Sequence, residues 1–403
     1  MKNKNKCIHI FLIIMFIIIL LMLIYFSTKT GISIVVKNDE SDKIINWLNK
    51  LNIVNLVDIN DTYNIINYQR QYNISLKRNI FDILMPNYNS FRIIKNINKL
   101  NFTINEDVLN IEILLSLLGS PFHFVYDSLD DVLSEISIRR NICYYASKTH
   151  VSINTRNDIT IKRPHEYFKN EDNDVILLNN KSLIDGIIYS LLPSVSNNIY
   201  DFSCYRVCEY IVLVSILLEL KKQNKDYIIT KIEDIYRKQP IKSKSFHDIF
   251  MTEYGSNTFP LPKLFYIPGE RIWFKNVDDK SSDIVGFEGK WTIYLGNGFF
   301  GDFWKTSGDI NNQFTFEDVL IEIYNWRFCV KYNENKELYM DENEVNYRNK
   351  LCKENQEEKK RIIGLMNNYY GNYFFESGCV DKTREKPKNI FFLEKFFVST
   401  YLK

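Results

Sequence analysis

The chain is predicted to be an α+β protein, on three observations. A run from about Val207 to Leu220 is apolar nearly all round, as a helix enclosed by a core must be. Beyond Pro260-Leu261-Pro262 the pattern changes. Arg271-Ile272-Trp273-Phe274-Lys275 and Trp291-Thr292-Ile293-Tyr294-Leu295 are rich in β-branched and aromatic residues and bounded by Gly or Pro. A further strand through Phe299-Phe300 is expected after Gly296-Asn297-Gly298, a strong hairpin signal.

Taken in order, the chain opens with Lys2, Lys4 and Lys6 before an apolar run over residues 8–26 that only His9 interrupts. That run is long enough to cross a bilayer and lacks a small-x-small exit, so a signal anchor is expected. The lysines would keep the N-terminus cytoplasmic and place the rest outside, as a single-pass membrane protein. A cleaved signal peptide is the alternative, and it exports the same domain. Residues 30–118 carry short apolar runs in Asn-rich sequence and are expected to form a helical module or spacer. The turn cluster Gly119-Ser120-Pro121 marks a boundary, so a main domain is expected over 120–330 and an extension over 331–403. Ser128 to Ala146 reads as a helix, with Ser128 as N-cap, Asp130 and Asp131 in its first turn, and Leu129, Val132, Leu133, Ile136 and Ile142 at helical spacing. Asn343 to Lys360 reads as a charged, solvated helix.

Composition narrows the function. The 403 residues are 45% hydrophobic and 15% aromatic, enough for one large or two ordinary cores. Lys+Arg 51 against Asp+Glu 49 leaves no basic footprint, and no nucleic-acid partner is expected. The 7 cysteines include no CxxC pair with zinc spacing, so neither a metal nor another cofactor is expected. Cys208 is read as standing at the mouth of the apolar helix. A helix N-terminus favours thiolate over thiol, and the thiolate is the nucleophile. An ordinary buried cysteine is the plainer reading of the same residue.

Three blocks in register resemble the spore-coat protein-glutamine gamma-glutamyltransferase (transglutaminase) family of bacilli, over about residues 120–330. They are Phe124-Val125-Tyr126-Asp127-Ser128 with Glu135 to Ile142, then Tyr205 to Val214, then Pro268 to Asn276 with Gly289, Ile293 to Asn297 and Phe299-Phe300-Gly301. The resemblance implies a papain-like core, in which a buried Cys helix faces an antiparallel sheet. It also implies calcium-independent chemistry, a setting in sporulation, and protein substrates: a glutamine donor and a lysine acceptor. Cys208 matches the nucleophile. It would attack the glutamine amide, release ammonia and pass the acyl group to an amine as an isopeptide cross-link.

The chain departs from the family at the assisting positions. The family's glutamate before the cysteine is Val207 here, with Glu209 following instead, and Gly289 is followed by Lys290 where the family has glutamate. The family's Phe-Phe-Gly-His reads Phe299-Phe300-Gly301-Asp302. Glu288, two residues before Lys290 and on the same face of a strand, is a candidate carboxylate. Lys290 is a candidate to hold the thiolate, and Asp302 to orient or act as base. Each is opposed by the ordinary fate of a strand-edge charge, which is solvation. His123, His150 and His165 precede Cys208 and His247 follows it, with no obvious Cys-His pair. Three readings follow: a membrane-anchored acyltransferase, a degenerate member serving as an anchored binding or structural protein, and a cysteine hydrolase using water as acceptor.

Overall fold

The computed structural model describes residues 30–36, 39–64, 68–100, 107–153, 161–171, 174–241, 243–256, 258–304, 313–372 and 379–401. The apolar run 8–26 lies outside them, and no helix among the described residues is long and apolar enough to cross a membrane.

Residues 30–118 are not the helical module expected of them. Strands β1 (Gly31–Val36), β2 (Val57–Asn64) and β3 (Gln69–Leu76) join β4 (His123–Tyr126) in a sheet of order β2-β3-β1-β4. The strand β1 pairs antiparallel with β3, Ile32 opposite Ile74, and parallel with β4, Ile32 opposite Phe124. Helices α1 (Ser41–Lys50) and α2 (Val108–Leu118) pack on this sheet, α2 burying Ile111 through Leu118. Because β4 lies beyond Gly119-Ser120-Pro121, the sheet draws strands from both sides of that turn cluster.

Next comes α3 (Leu129–Lys148), and its cap is the expected one, the Ser128 hydroxyl accepting from the Asp131 N–H at 3.1 Å. It packs against α5 (Cys204–Lys222), and α4 (Leu183–Leu191) packs on α5 from another side. Residues 207–217 of α5 are all buried, so its sequence is apolar all round because it has no solvent face there.

The larger sheet supplies the wall that α5 faces. Its strands are β5 (Met251–Tyr254), β6 (Arg271–Lys275), β7 (Gly289–Gly296), β8 (Phe299–Gly301), β9 (Gln313–Thr315) and β10 (Arg384–Pro387), in the order β9-β8-β7-β6-β10-β5. The hairpin between β7 and β8 is as predicted, with Asn297 at φ 50° and Gly298 at φ 80°, the left-handed pair such a turn needs. Strand β10 comes from the segment expected as an extension, and it lies between β6 and β5. The rest of that segment is helical: α7 (Glu342–Glu354) and α8 (Gln356–Asn372) pack on α6 (Phe316–Trp326), and α9 (Ile390–Tyr401) on α3 and α5. The single charged helix expected over 343–360 is broken at Asn355, whose backbone is extended. Buried charges tie the pieces together. Glu135 of α3 meets Arg139 at 2.9 Å and Lys386 of β10 at 2.9 Å. Burial alone would raise the Glu135 carboxyl, but these two cations hold it down at about 2.

Candidate active site

The helix α5 starts earlier than the apolar run suggests. The Ser203 hydroxyl accepts from the Arg206 N–H at 3.3 Å, which makes Ser203 the cap and Cys204 the first helical residue. Cys208 therefore sits one turn inside. It is 0% exposed, within the core around α5, and burial pushes its thiol well above the ordinary value. The expectation of Cys208 at the helix mouth is corrected by this cap, which places Cys204 there. The missed signal was Ser203, a good N-cap three residues before Arg206.

Cys204 is partly exposed and opens on a cavity of about 370 Å³. The cavity is lined by Lys290, Asp302, Trp304, Glu322 and Trp326, among others. Burial raises the Cys204 thiol, while the N–H of Trp291, the charge of Lys290 and the N–H of Tyr205 act to lower it. The strand β7 can deliver Lys290 and Trp291 here because it begins at Gly289. A Cβ at that position would collide with the Trp273 ring and the Phe274 carbonyl across the β6–β7 ladder.

Lys290 is 6% exposed, and its ammonium donates to both carboxylate oxygens of Glu322 at 3.1 and 3.0 Å. The ammonium also lies 4.3 Å from the centre of the Phe314 ring. Burial works against the charge, but Glu322 and Asp302 outweigh it and hold the ammonium above its ordinary pKa. Asp302, 9% exposed just past β8, accepts from the Trp304 N–H at 3.5 Å. Glu322, on α6, is a member of the site that the sequence reading did not single out.

The other candidates fall elsewhere. Glu288 precedes β7 instead of sharing a strand face with Lys290. It is exposed, and its carboxylate accepts from the Gly286 N–H at 2.9 Å; its charge reaches Cys204 only to raise the thiol. It does not line the cavity. Glu209 is buried behind Cys208, paired with Arg206 at 2.7 Å, its carboxyl pushed up to about 7 by burial. No histidine among the described residues lines the cavity: Ser33 and His123 meet at 2.5 Å within the first sheet, and His247 stands 3.3 Å from Glu385.

A thiol at a helix mouth, facing the first residues of an antiparallel strand across a cavity, suits acyl transfer. A family model described as protein-glutamine gamma-glutamyltransferase matches residues 90–318, more than half of the chain. The chain belongs to the protein-glutamine gamma-glutamyltransferase family. The span takes in α2, α3, α5 and strands β4 to β9, and so includes Cys204, Cys208, Lys290 and Asp302. A solved structure, "Transglutaminase from Geobacillus stearothermophilus (without C-terminal extension)", is similar at 17% identity over 55% of this chain and 97% of that one, with a TM-score of 0.36. No curated protein matches the chain. Membership supports a protein-glutamine acyltransferase type of function and protein substrates.

Proposed function

We propose that this transglutaminase domain transfers acyl groups from protein glutamine to amines through a thioester on Cys204, the position one turn before Cys208. The observation that carries the reading is the partly exposed Cys204 at the first residue of α5, facing Lys290 and Asp302 across the cavity. The Cys204 thiolate attacks the amide carbon, and the N–H groups of Tyr205 and Trp291 beside the sulfur offer donors for the oxyanion. The C–N bond breaks as the Lys290 ammonium gives a proton to the leaving nitrogen, releasing ammonia. An acceptor amine then attacks the thioester and gives a proton to the neutral Lys290, and the thiolate leaves. Asp302 and Glu322 favour the ammonium at the start and end of this cycle. Water in place of the amine gives deamidation by the same steps.

Two observations favour a degenerate, binding role instead. Lys290 is held by both oxygens of Glu322, and burial holds Cys204 in the thiol form. Incorporation of a fluorescent amine into a glutamine-bearing protein separates the two. Activity that disappears in Cys204→Ala and persists in Cys208→Ala supports transfer through Cys204. Negligible and equal incorporation by wild type and Cys204→Ala would establish the degenerate role.

The apolar run 8–26 and its preceding lysines support anchoring, with the domain outside the cytoplasm and surface or coat proteins as substrates. Removing residues 1–29 should release the protein from membranes; a membrane-bound remainder would refute the anchor.

A further inference from the structure

The cavity has a wall that the family match does not reach. The matched span ends at residue 318, whereas Glu342, Val345 and Asn346 of α7 line the same cavity as Cys204. That helix is firmly placed. The Asp341 carboxylate caps it through the Glu344 N–H at 3.1 Å, and Val345 and Cys352 are buried in the core shared with α6. Asn325 of α6 donates to the Asn349 side chain at 2.8 Å, and Lys353 reaches Asp318 at 3.6 Å.

The charges on the lining are lopsided. Among the described lining residues Lys290 is the one cation, and Glu322 holds it; Asp302 and Glu342 add two further carboxylates. Glu342 is exposed and makes no ion pair with another described residue. Trp304, Trp326 and Phe287 give the same space aromatic walls. A described lining in which carboxylates outnumber cations, with aromatic sides, suits an alkylammonium better than a neutral or anionic group.

We propose that α7 is the acceptor wall of the site, with Glu342 a specificity-determining residue that favours amines carrying a second positive charge. The inference rests on the proposed acyl transfer at Cys204. A diamine presents one neutral amine to the thioester while its other end, still an ammonium, faces Glu342. A monoamine of equal length has no such partner.

The test compares kcat/KM for 1,5-diaminopentane and for pentylamine in the full chain. Wild type should prefer the diamine. Glu342→Gln should lower that preference by up to about fivefold, the upper range of one exposed charge pair. Asn346→Asp, adding a carboxylate on the same wall, should raise it. A general loss of helix stability in Glu342→Gln would change both amines alike and leave the ratio where it was. A ratio unchanged in both variants overturns the inference while leaving acyl transfer intact. Should wild type incorporate neither amine, the proposed transfer fails and a binding measurement decides this inference. 1,5-Diaminopentane should slow alkylation of Cys204 by iodoacetamide in wild type and slow it less in Glu342→Gln. Equal protection, or none, would overturn it.

Discussion

Cys204 and Cys208 lie four residues apart on one helix, about 6 Å along its axis, yet their surroundings are opposite. Cys204 is the first residue of the helix, partly open, beside two N–H groups and an ammonium. Cys208 has no exposed surface and lies within the core around the helix, with the charges of Arg271, Glu209 and Glu385 reaching it through the protein. The comparison teaches that one turn of helix separates a group placed for chemistry from one placed for packing. The deciding feature is the cap, since Ser203 sets where the helix begins.

The largest effect that can break this comparison is on reactivity. Cys204→Ala should abolish both amine incorporation and labelling by iodoacetamide at this helix, a loss of at least about 100-fold for a removed nucleophile. Cys208→Ala should retain both and cost about 1 kcal/mol of stability, measured by denaturant unfolding. The reverse pattern would return the site to Cys208. Next in size is Lys290→Gln. It leaves Glu322 without its cation, and because Glu322 is 26% exposed the cost is reduced to about 2 kcal/mol. It also removes a charge that lowers the Cys204 thiol, so the pH profile of alkylation should move upward. An unmoved profile would mean that Lys290 does not act on the sulfur.

The sealed turn should show itself in stability instead. Glu209, next to Cys208, has a carboxyl raised from 4.5 to about 7 by burial, so the folded state binds its proton more tightly than the unfolded chain does. Its contribution is fully present below pH 4.5 and lost as the pH rises through about 7. Unfolding free energies across that window should fall in wild type and fall less in Glu209→Gln, a difference of about 3 kcal/mol at the upper end. Parallel profiles would remove Glu209 from the account. The smallest effect belongs to Glu288→Gln. Its exposed carboxylate only raises the Cys204 thiol from a distance, so alkylation should shift to slightly lower pH with activity nearly kept.

Where local chemistry and tertiary packing agreed, the sequence was readable. Ser128 capped its helix as expected, and Asn297-Gly298 turned the hairpin because few other pairs adopt both positive φ angles. The family, and the cavity positions Lys290 and Asp302, were also visible in order along the chain. The failures have definite causes. Residues 57–76 hide two strands, since β2 reads Val-Asp-Ile-Asn-Asp-Thr-Tyr-Asn and shows polar side chains at most positions. Apolar periodicity placed the start of α5 at Val207 because Cys204 to Arg206 offer no apolar stripe, and hydrogen bonding set it at Cys204. Arg384-Glu385-Lys386, within the segment expected as an extension, offers no apolar alternation to mark a strand, and each charge is buried or part-buried against a partner such as Arg271 or Glu135.

The place of β10 also bears on how the molecule is made. Glu385 and the Arg271 it neutralises are 114 residues apart in sequence, and β10 closes the gap between β6 and β5. While the chain is being synthesised, β6 therefore waits beside an open ladder with a buried-site guanidinium still uncompensated. The thiol-bearing helix and the strand opposite it precede β10 in the chain, so the sheet that fixes their spacing is completed only after both have emerged. A fragment ending before residue 384 should thus carry every described residue of the cavity without holding it in shape.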